Sequence, residues 1–388
     1  MNKRPGRLAD GIWRKYKLGR DRLRGVKRQI LRFPAMPQLT VRYSAYRRAV
    51  AQCDWPLARA RALALSELAM KNNDRRVLHE MMQALPRFEC FEEAARARRA
   101  WREALPDRLS NPWYGEDLSG KTLLVDFTEK HEHGLGLTLW GANFVAKAAR
   151  QARHVIVVVE SRLVPLYERS FPALDIRETA QRRESDEIDF TATIGNLTGN
   201  FIPSKGLPDA DFYPLVADHA MAASLRAKYQ NGEQYPLIGV FWYSSHHGKD
   251  LPDLKDWQRF IAKSQARFVS LQYGAVEDDI RELGADRVIS DPAIDQLIDM
   301  DGFAAQIAAL DAVVAISGTP VHLAGALGVP TVILRDDWFR RQWPVMTDRV
   351  PWYPNLRVAG KDGREWGEVF DDAWIRVQTL LDRQERRP

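Results

Sequence analysis

Cysteine is nearly absent: Cys53 and Cys90 are the only two in 388 residues. Both fall in a stretch with helical periodicity and neither has partners at metal-ligand spacing, so no disulfide framework is expected and a reducing compartment fits. Long apolar runs are missing too. No segment approaches the roughly 18 residues of a membrane span, and the N-terminus carries charge where a signal peptide needs its apolar core, so the sequence reads as cytoplasmic. A basic body is the third absence. Residues 1–32 hold twelve Lys or Arg against Asp10 and Asp21, a net +10, which leaves −4 for the rest of a chain whose total is +6. A surface that tracks a nucleic-acid backbone is therefore not expected, and nucleic acid is no partner.

What is present begins with a basic arm, residues 1–40. Leu8, Ile12, Trp13, Tyr16, Leu23, Val26, Ile30 and Leu31 recur there at roughly helical spacing. This suits peripheral contact with an anionic membrane, although charge runs commonly just face water. Residues 41–110 then alternate small and large apolar positions in the manner of tetratricopeptide-like helical hairpins, with Ala49, Leu57, Ala58, Ala62, Leu65 and Ala69 leading. The repeat falls short of the roughly three units a solenoid needs. From Pro112 the pattern changes. Strands are expected at 122–127, 155–159, 188–194, 237–242 and 267–271, and helices at 138–150, 257–263 and 303–310. The fold class is α/β: two Rossmann-like lobes, residues 111–232 and 233–365, facing a cleft, with a C-terminal helix over 366–388.

The most informative stretch is 311–334. An apolar strand from Ala312 to Ile316 turns through Ser317, Gly318 and Thr319, and Pro320 then presets a helical φ. Thr319 is the expected N-cap, Gly328 the left-handed stop, and a second strand follows over 331–334. This is a βαβ unit whose helix start, with unpaired N–H groups and a positive dipole end, suits phosphate. Gly134 and Gly136 form a second candidate loop after the first strand, though two glycines also make a plain tight turn.

The residues VHLAGALGVP at 321–330, with Ser317, Gly318 and Thr319 ahead of them, resemble the nucleotide-diphosphate loop of the family 9 glycosyltransferases and of related bacterial tetratricopeptide-glycosyltransferase proteins. The Gly-x-Gly loop region at 123–136, GVFW at 239–242, VSLQYG at 269–274, DGFAAQIAALD at 301–311 and PWYP at 351–354 agree in order. The resemblance implies a GT-B architecture, with a nucleotide-sugar donor on the C-terminal lobe. The acceptor, a hydroxyl on a glycan, lipid-linked saccharide or protein, would lie on the N-terminal lobe. It implies hexosyl or heptosyl transfer with neither metal nor other cofactor, so cationic side chains and helix N–H groups stabilise the leaving diphosphate. Carried over by position, Ser317, Gly318, Thr319 and His322 contact the phosphates, Lys249 neutralises developing charge, and Gln272 and Tyr273 lie near the base or ribose. Arg340 reaches the cleft by loop proximity.

Each has a plainer alternative: His322 bonding within the core, Lys249 in a solvated loop, and Trp343, Trp352 and Tyr353 packing between lobes rather than stacking on a ligand. On the acceptor side the family loop usually continues into an Asp that acts as base, whereas here Gly136 is followed by Leu137. Glu129, which matches a family Glu, and His131 and His133 are the candidates for taking the hydroxyl proton, with Gly134 and Gly136 contacting substrate. Leu137 also favours the alternative of a catalytically degenerate nucleotide-binding scaffold that recruits partners through its helical region.

Overall fold

The computed structural model describes residues 37–105, 110–129, 134–179, 187–201, 212–244, 250–337 and 343–385. The chain divides into two compact units, residues 1–45 and 46–388. The described part of the first is the opening of helix α1 (Pro37–Ala51). The rest of the basic arm lies outside the described residues, as do His131, His133, Lys249 and Arg340.

In the second unit, α2 (Trp55–Lys71), α3 (Arg75–Ala84) and α4 (Phe91–Glu103) pack as successive hairpins. Asp54 accepts the N–H of Leu57, and Asp74 accepts those of Arg76 and Val77. Each such cap contributes about 1 kcal/mol. The buried faces alternate Ala58, Ala62, Ala69 and Ala97 with Leu65, Leu78, Met81 and Trp101. The helices are 17, 10 and 13 residues long, with a 3-10 turn (Leu85–Phe88) before α4, so the hairpins are of unequal size.

The first sheet is built from β1 (Thr122–Asp126), α5 (Leu135–Ala149), β2 (His154–Val159), α6 (Val164–Ser170), β3 (Asp175–Glu178), β4 (Phe190–Ala192) and α7 (Ile194–Phe201). Its strands run in the order β3-β2-β1-β4, all parallel. The second follows α8 (His219–Gln230) with β5 (Leu237–Phe241), α9 (Leu254–Lys263), β6 (Arg267–Ser270), α10 (Glu277–Leu283), β7 (Val288–Ile289), α11 (Met300–Ala308), β8 (Ala312–Ile316), α12 (Thr319–Leu327), β9 (Thr331–Arg335), β10 (Arg349–Val350), β11 (Tyr353–Gly360) and α13 (Trp366–Glu385). Its order is β10-β11-β9-β8-β5-β6-β7, parallel apart from the β10–β11 pair. Every residue of β1, β5, β8 and β9 is buried, as strands covered on both faces require.

Expected and observed elements differ where side chains intervene. The strand expected over 188–194 shrinks to three residues. Asp189 turns its carboxylate to the Thr122 N–H at 2.8 Å, and Asn196 accepts the Thr193 N–H at 2.9 Å to start α7. Residues 351–354, punctuated by two prolines, run directly into the eight-residue strand β11. Helix α8, which precedes the polar stretch 231–233, packs on α11 of the second sheet, and Arg226 donates to the Ala309 carbonyl and the Asp311 carboxylate at 2.9 Å each.

One hydrophobic core runs through both sheets and reaches Phe91 of α4. Helix α5 explains this: Leu139, Trp140, Ala142, Phe144, Val145 and Ala148 are buried, so it is apolar around its circumference. It packs on α7 at one side and α12 at the other. Arg169 of α6 and Asp301 of α11 add a bidentate ion pair at 2.6 and 2.7 Å. No helix among the described residues is long and apolar enough to cross a membrane.

Candidate functional site

Each sheet has a strand flanked by chain segments that depart in opposite directions, and ligands in such folds bind at the C-terminal ends of the strands there. In the second sheet it is β5, between β6 and β8; in the first it is β1, between β2 and β4. The opposite ends are latched alike. Asp311 accepts the Leu237 N–H at 2.8 Å, as Asp189 accepts that of Thr122. The Thr122 N–H, helped by Lys121 at 3.0 Å, holds the Asp189 carboxyl below the usual carboxylate range.

At the open end of β8 the helix starts one residue earlier than expected. Gly318, not Thr319, is the N-cap, because Thr319 is already helical and Pro320 sits just inside the start. Gly318 is fully extended, a conformation any residue adopts, so its glycine has a steric reason. A Cβ there would stand 2.6 Å from Cε1 of Phe241, the last residue of β5. The N-cap residues of α12 (Gly318) and α5 (Gly134) give no side-chain cap, as is also so at α4, α6 and α10. By contrast α2, α3, α8, α9 and α11 each start at an aspartate whose carboxylate accepts their first N–H groups. Among the described residues the N-cap of α12 thus supplies no side-chain acceptor to the dipole end, the arrangement that suits an anionic ligand.

The neighbouring residues are less available than the sequence suggests. Ser317 Oγ accepts from Trp343 Nε1 at 2.8 Å. His322 is buried, stacks on Trp343 with centroids 4.9 Å apart, and shares a hydrogen bond with the Tyr353 hydroxyl at 3.3 Å. Trp343, Trp352 and Tyr353 are buried, and Trp352 meets Trp140 of α5 at 4.9 Å, so these aromatics pack between the two sheets. Gln272 is buried at the end of β6, with Oε1 accepting the backbone N–H groups of Trp242 and Tyr243. Tyr273 is half-buried with its ring 6.0 Å from that of Phe241.

The glycine loop of the first sheet also departs from expectation. Gly134 takes φ +148, which glycine tolerates, and α5 starts at Leu135, so Gly136 lies in a helical turn rather than a loop. A Cβ on Gly136 would stand 3.0 Å from Cδ2 of His322. The glycine is what lets the histidine of α12 approach α5. Glu129 pairs with Arg102 of α4 at 3.0 Å, the two side chains 11% and 7% exposed. The packing of Trp343 follows the plainer reading of the sequence, whereas the roles of Phe241 and Arg102 were not legible there, since each joins segments distant in sequence and no local pattern announces it. A shallow cavity of about 90 Å³ lined by Phe260, Phe370 and Trp374 lies between α9 and α13, away from these strand ends.

No model of a known protein family matches the chain. Protein FlbA of Caulobacter vibrioides is 31% identical over 302 residues, 69% of this chain and 48% of that protein. The chain thus spans about half the length of that curated relative. Among solved structures, the glycosyl transferase family 9 protein from Veillonella parvula matches with a TM-score of 0.50 and 12% identity over 69% of this chain and 99% of that one. The E. coli ADP-heptose lps heptosyltransferase II matches with a TM-score of 0.43 and 13% identity over 68% and 99%. The fold is that of the family 9 glycosyltransferases, a mixed α/β arrangement of two mainly parallel sheets, as the resemblance implied.

Proposed function

We propose that the protein is a glycosyltransferase that moves a hexosyl or heptosyl group from a nucleotide-diphosphate donor to a hydroxyl on a glycan, lipid-linked saccharide or protein. The observation that carries this is the start of α12, a helix N-terminus without a side-chain cap at the switch point of a parallel sheet. The fold of a family 9 protein supports it. In the proposed reaction the acceptor oxygen bonds to the anomeric carbon as the bond from that carbon to the diphosphate oxygen breaks. The hydroxyl proton passes to a base of the 129–133 stretch, and the nucleoside diphosphate leaves with the electron pair. Gly318 and Thr319, with Lys249, Arg340, Ser317 and His322, stabilise the charge that develops on the phosphates, without metal. The working place is the cytoplasm, with the basic arm in peripheral contact with a membrane.

A second reading has its own observation. Glu129 is occupied by Arg102, and Leu137 stands where the family has its Asp, so the chain also fits a nucleotide-binding scaffold whose tetratricopeptide-like helices recruit partners.

A thermal-shift panel of UDP, GDP, ADP, CMP and dTDP, repeated with Thr319→Trp, tests the donor site. One diphosphate should raise the melting temperature of the wild type and not of the variant, since a ligand bound only to the folded state stabilises it. Absence of a shift with all of them removes the donor site. A shift followed by no turnover of the matching sugar nucleotide leaves the scaffold reading.

A further inference from the structure

At the crevice of the second sheet one side-chain amide ties the end of β6 to the exit of β5. The ladder between β5 and β6 ends at the Val240 and Ser270 pair. Beyond it, Gln272, only 3% exposed, takes over: its Oε1 accepts the N–H of Trp242 at 3.3 Å and of Tyr243 at 2.9 Å. Two donors fill the two lone pairs of the Oε1 carbonyl, and Nε2 is turned to the Tyr273 carbonyl at 3.5 Å, so the acceptor side of this amide is engaged within the protein. Trp242 is held a second time, its Nε1 donating to Asp279 of α10 at 2.8 Å. The residue before it, Phe241, is the one whose ring lies against Gly318. A shift of the chain at 242–243 is therefore passed through Phe241 to the first turn of α12.

We propose that Gln272 is a positioning residue, which fixes the exit of β5 against the start of α12 and thereby sets the crevice for a diphosphate group instead of touching a base or ribose. This rests on the donor site proposed above. Tyr243, whose backbone N–H the same amide holds, is 46% exposed.

The test uses the full chain with Gln272→Met, which keeps the volume and removes the acceptor, and Gln272→Glu, which keeps the acceptor. Hydrogen exchange is followed at the Trp242 and Tyr243 amides, and calorimetry compares nucleoside diphosphates with the parent nucleosides. Expected for Gln272→Met is faster exchange at both amides and roughly tenfold weaker diphosphate binding, with nucleoside binding unchanged. Gln272→Glu should keep both amides protected. If Gln272→Met does not fold, Gln272→Asn, too short to span both amides, carries the same expectation. Equal loss of nucleoside and diphosphate affinity would mean that Gln272 contacts the base, and unchanged exchange would mean that it positions nothing; either overturns the proposal. If the wild type binds no nucleoside diphosphate, the donor-site reading fails and the positioning of the crevice for diphosphate fails with it, whereas exchange still reports whether Gln272 fixes the β5 exit.

Discussion

Two helices carry a glycine at or just inside their start beside the C-terminal end of a central parallel strand, and these glycines, Gly318 and Gly136, answer to different neighbours. Gly318 before α12 makes room for Phe241 of its own sheet, at a helix start whose N-cap residue gives no side-chain bond. Gly136 in the first turn of α5 makes room for His322 of the other sheet, which closes the space in front of the helix. The carboxylate beside α5 is likewise engaged, by Arg102 of the helical region. Gly318 and Gly136 each mark a close approach, whereas a Cβ on Gly134, the N-cap of α5, would meet nothing within 4 Å among the described residues, so the identity of what approaches is what tells a binding loop from a packing contact.

The largest expected effect comes from removing the partner that occupies the first loop. Arg102→Ala removes the guanidinium that faces the nearly buried Glu129 carboxylate and should cost about 3 kcal/mol in urea unfolding. The double variant Arg102→Met with Glu129→Leu should recover most of that loss. A single-variant loss no larger than that of an exposed pair would mean that the first loop is as open as the second. Exchanging the two glycines for alanine sharpens the contrast at an intermediate size. Gly318→Ala should cost about 1 to 3 kcal/mol, because its Cβ meets a buried ring at 2.6 Å. At Gly136 the 3.0 Å contact is milder and alanine gains up to about 1 kcal/mol of helix propensity, so the net change should be near zero. Equal losses in chemical denaturation would break the distinction. The smallest effect concerns the latches at the far ends of the strands. The Asp189 carboxyl is depressed in the folded state, so its contribution is present above the unfolded pKa and disappears as pH falls through the folded one. The stability gap between wild type and Asp189→Asn should therefore narrow in acid below the usual carboxylate range. A gap that widens there would reverse the sign of the shift.

Much of the fold was legible because buried parallel strands are written as short continuous apolar runs: the cores of β1, β2, β5, β6, β8 and β9 fall where periodicity put them. The helix ends were less so. The start of α12 moved from Thr319 to Gly318, and that of α5 from 138 to 135, because the cap depends on backbone geometry that Gly-rich segments leave open. β11 was hidden behind Pro351 and Pro354, which read locally as punctuation. At the site, the location of the crevice followed from strand order and glycines. The engagement of Gln272, His322 and Glu129 did not, since their partners Tyr243, Tyr353 and Arg102 lie 29, 31 and 27 residues away and come together only through the tertiary fold.

Helix α5 has one further consequence, for how a ligand would come and go. A hinge between lobes needs a seam that water can enter at low cost. Here the seam is occupied by an apolar helix whose burial belongs to both sheets, backed by the Arg169–Asp301 pair. Swinging the sheets apart would wet Trp140, Trp352 and Phe144 together, at about 25 cal/mol for each Å² exposed. Opening the crevice by parting the two sheets therefore carries the cost of wetting this seam.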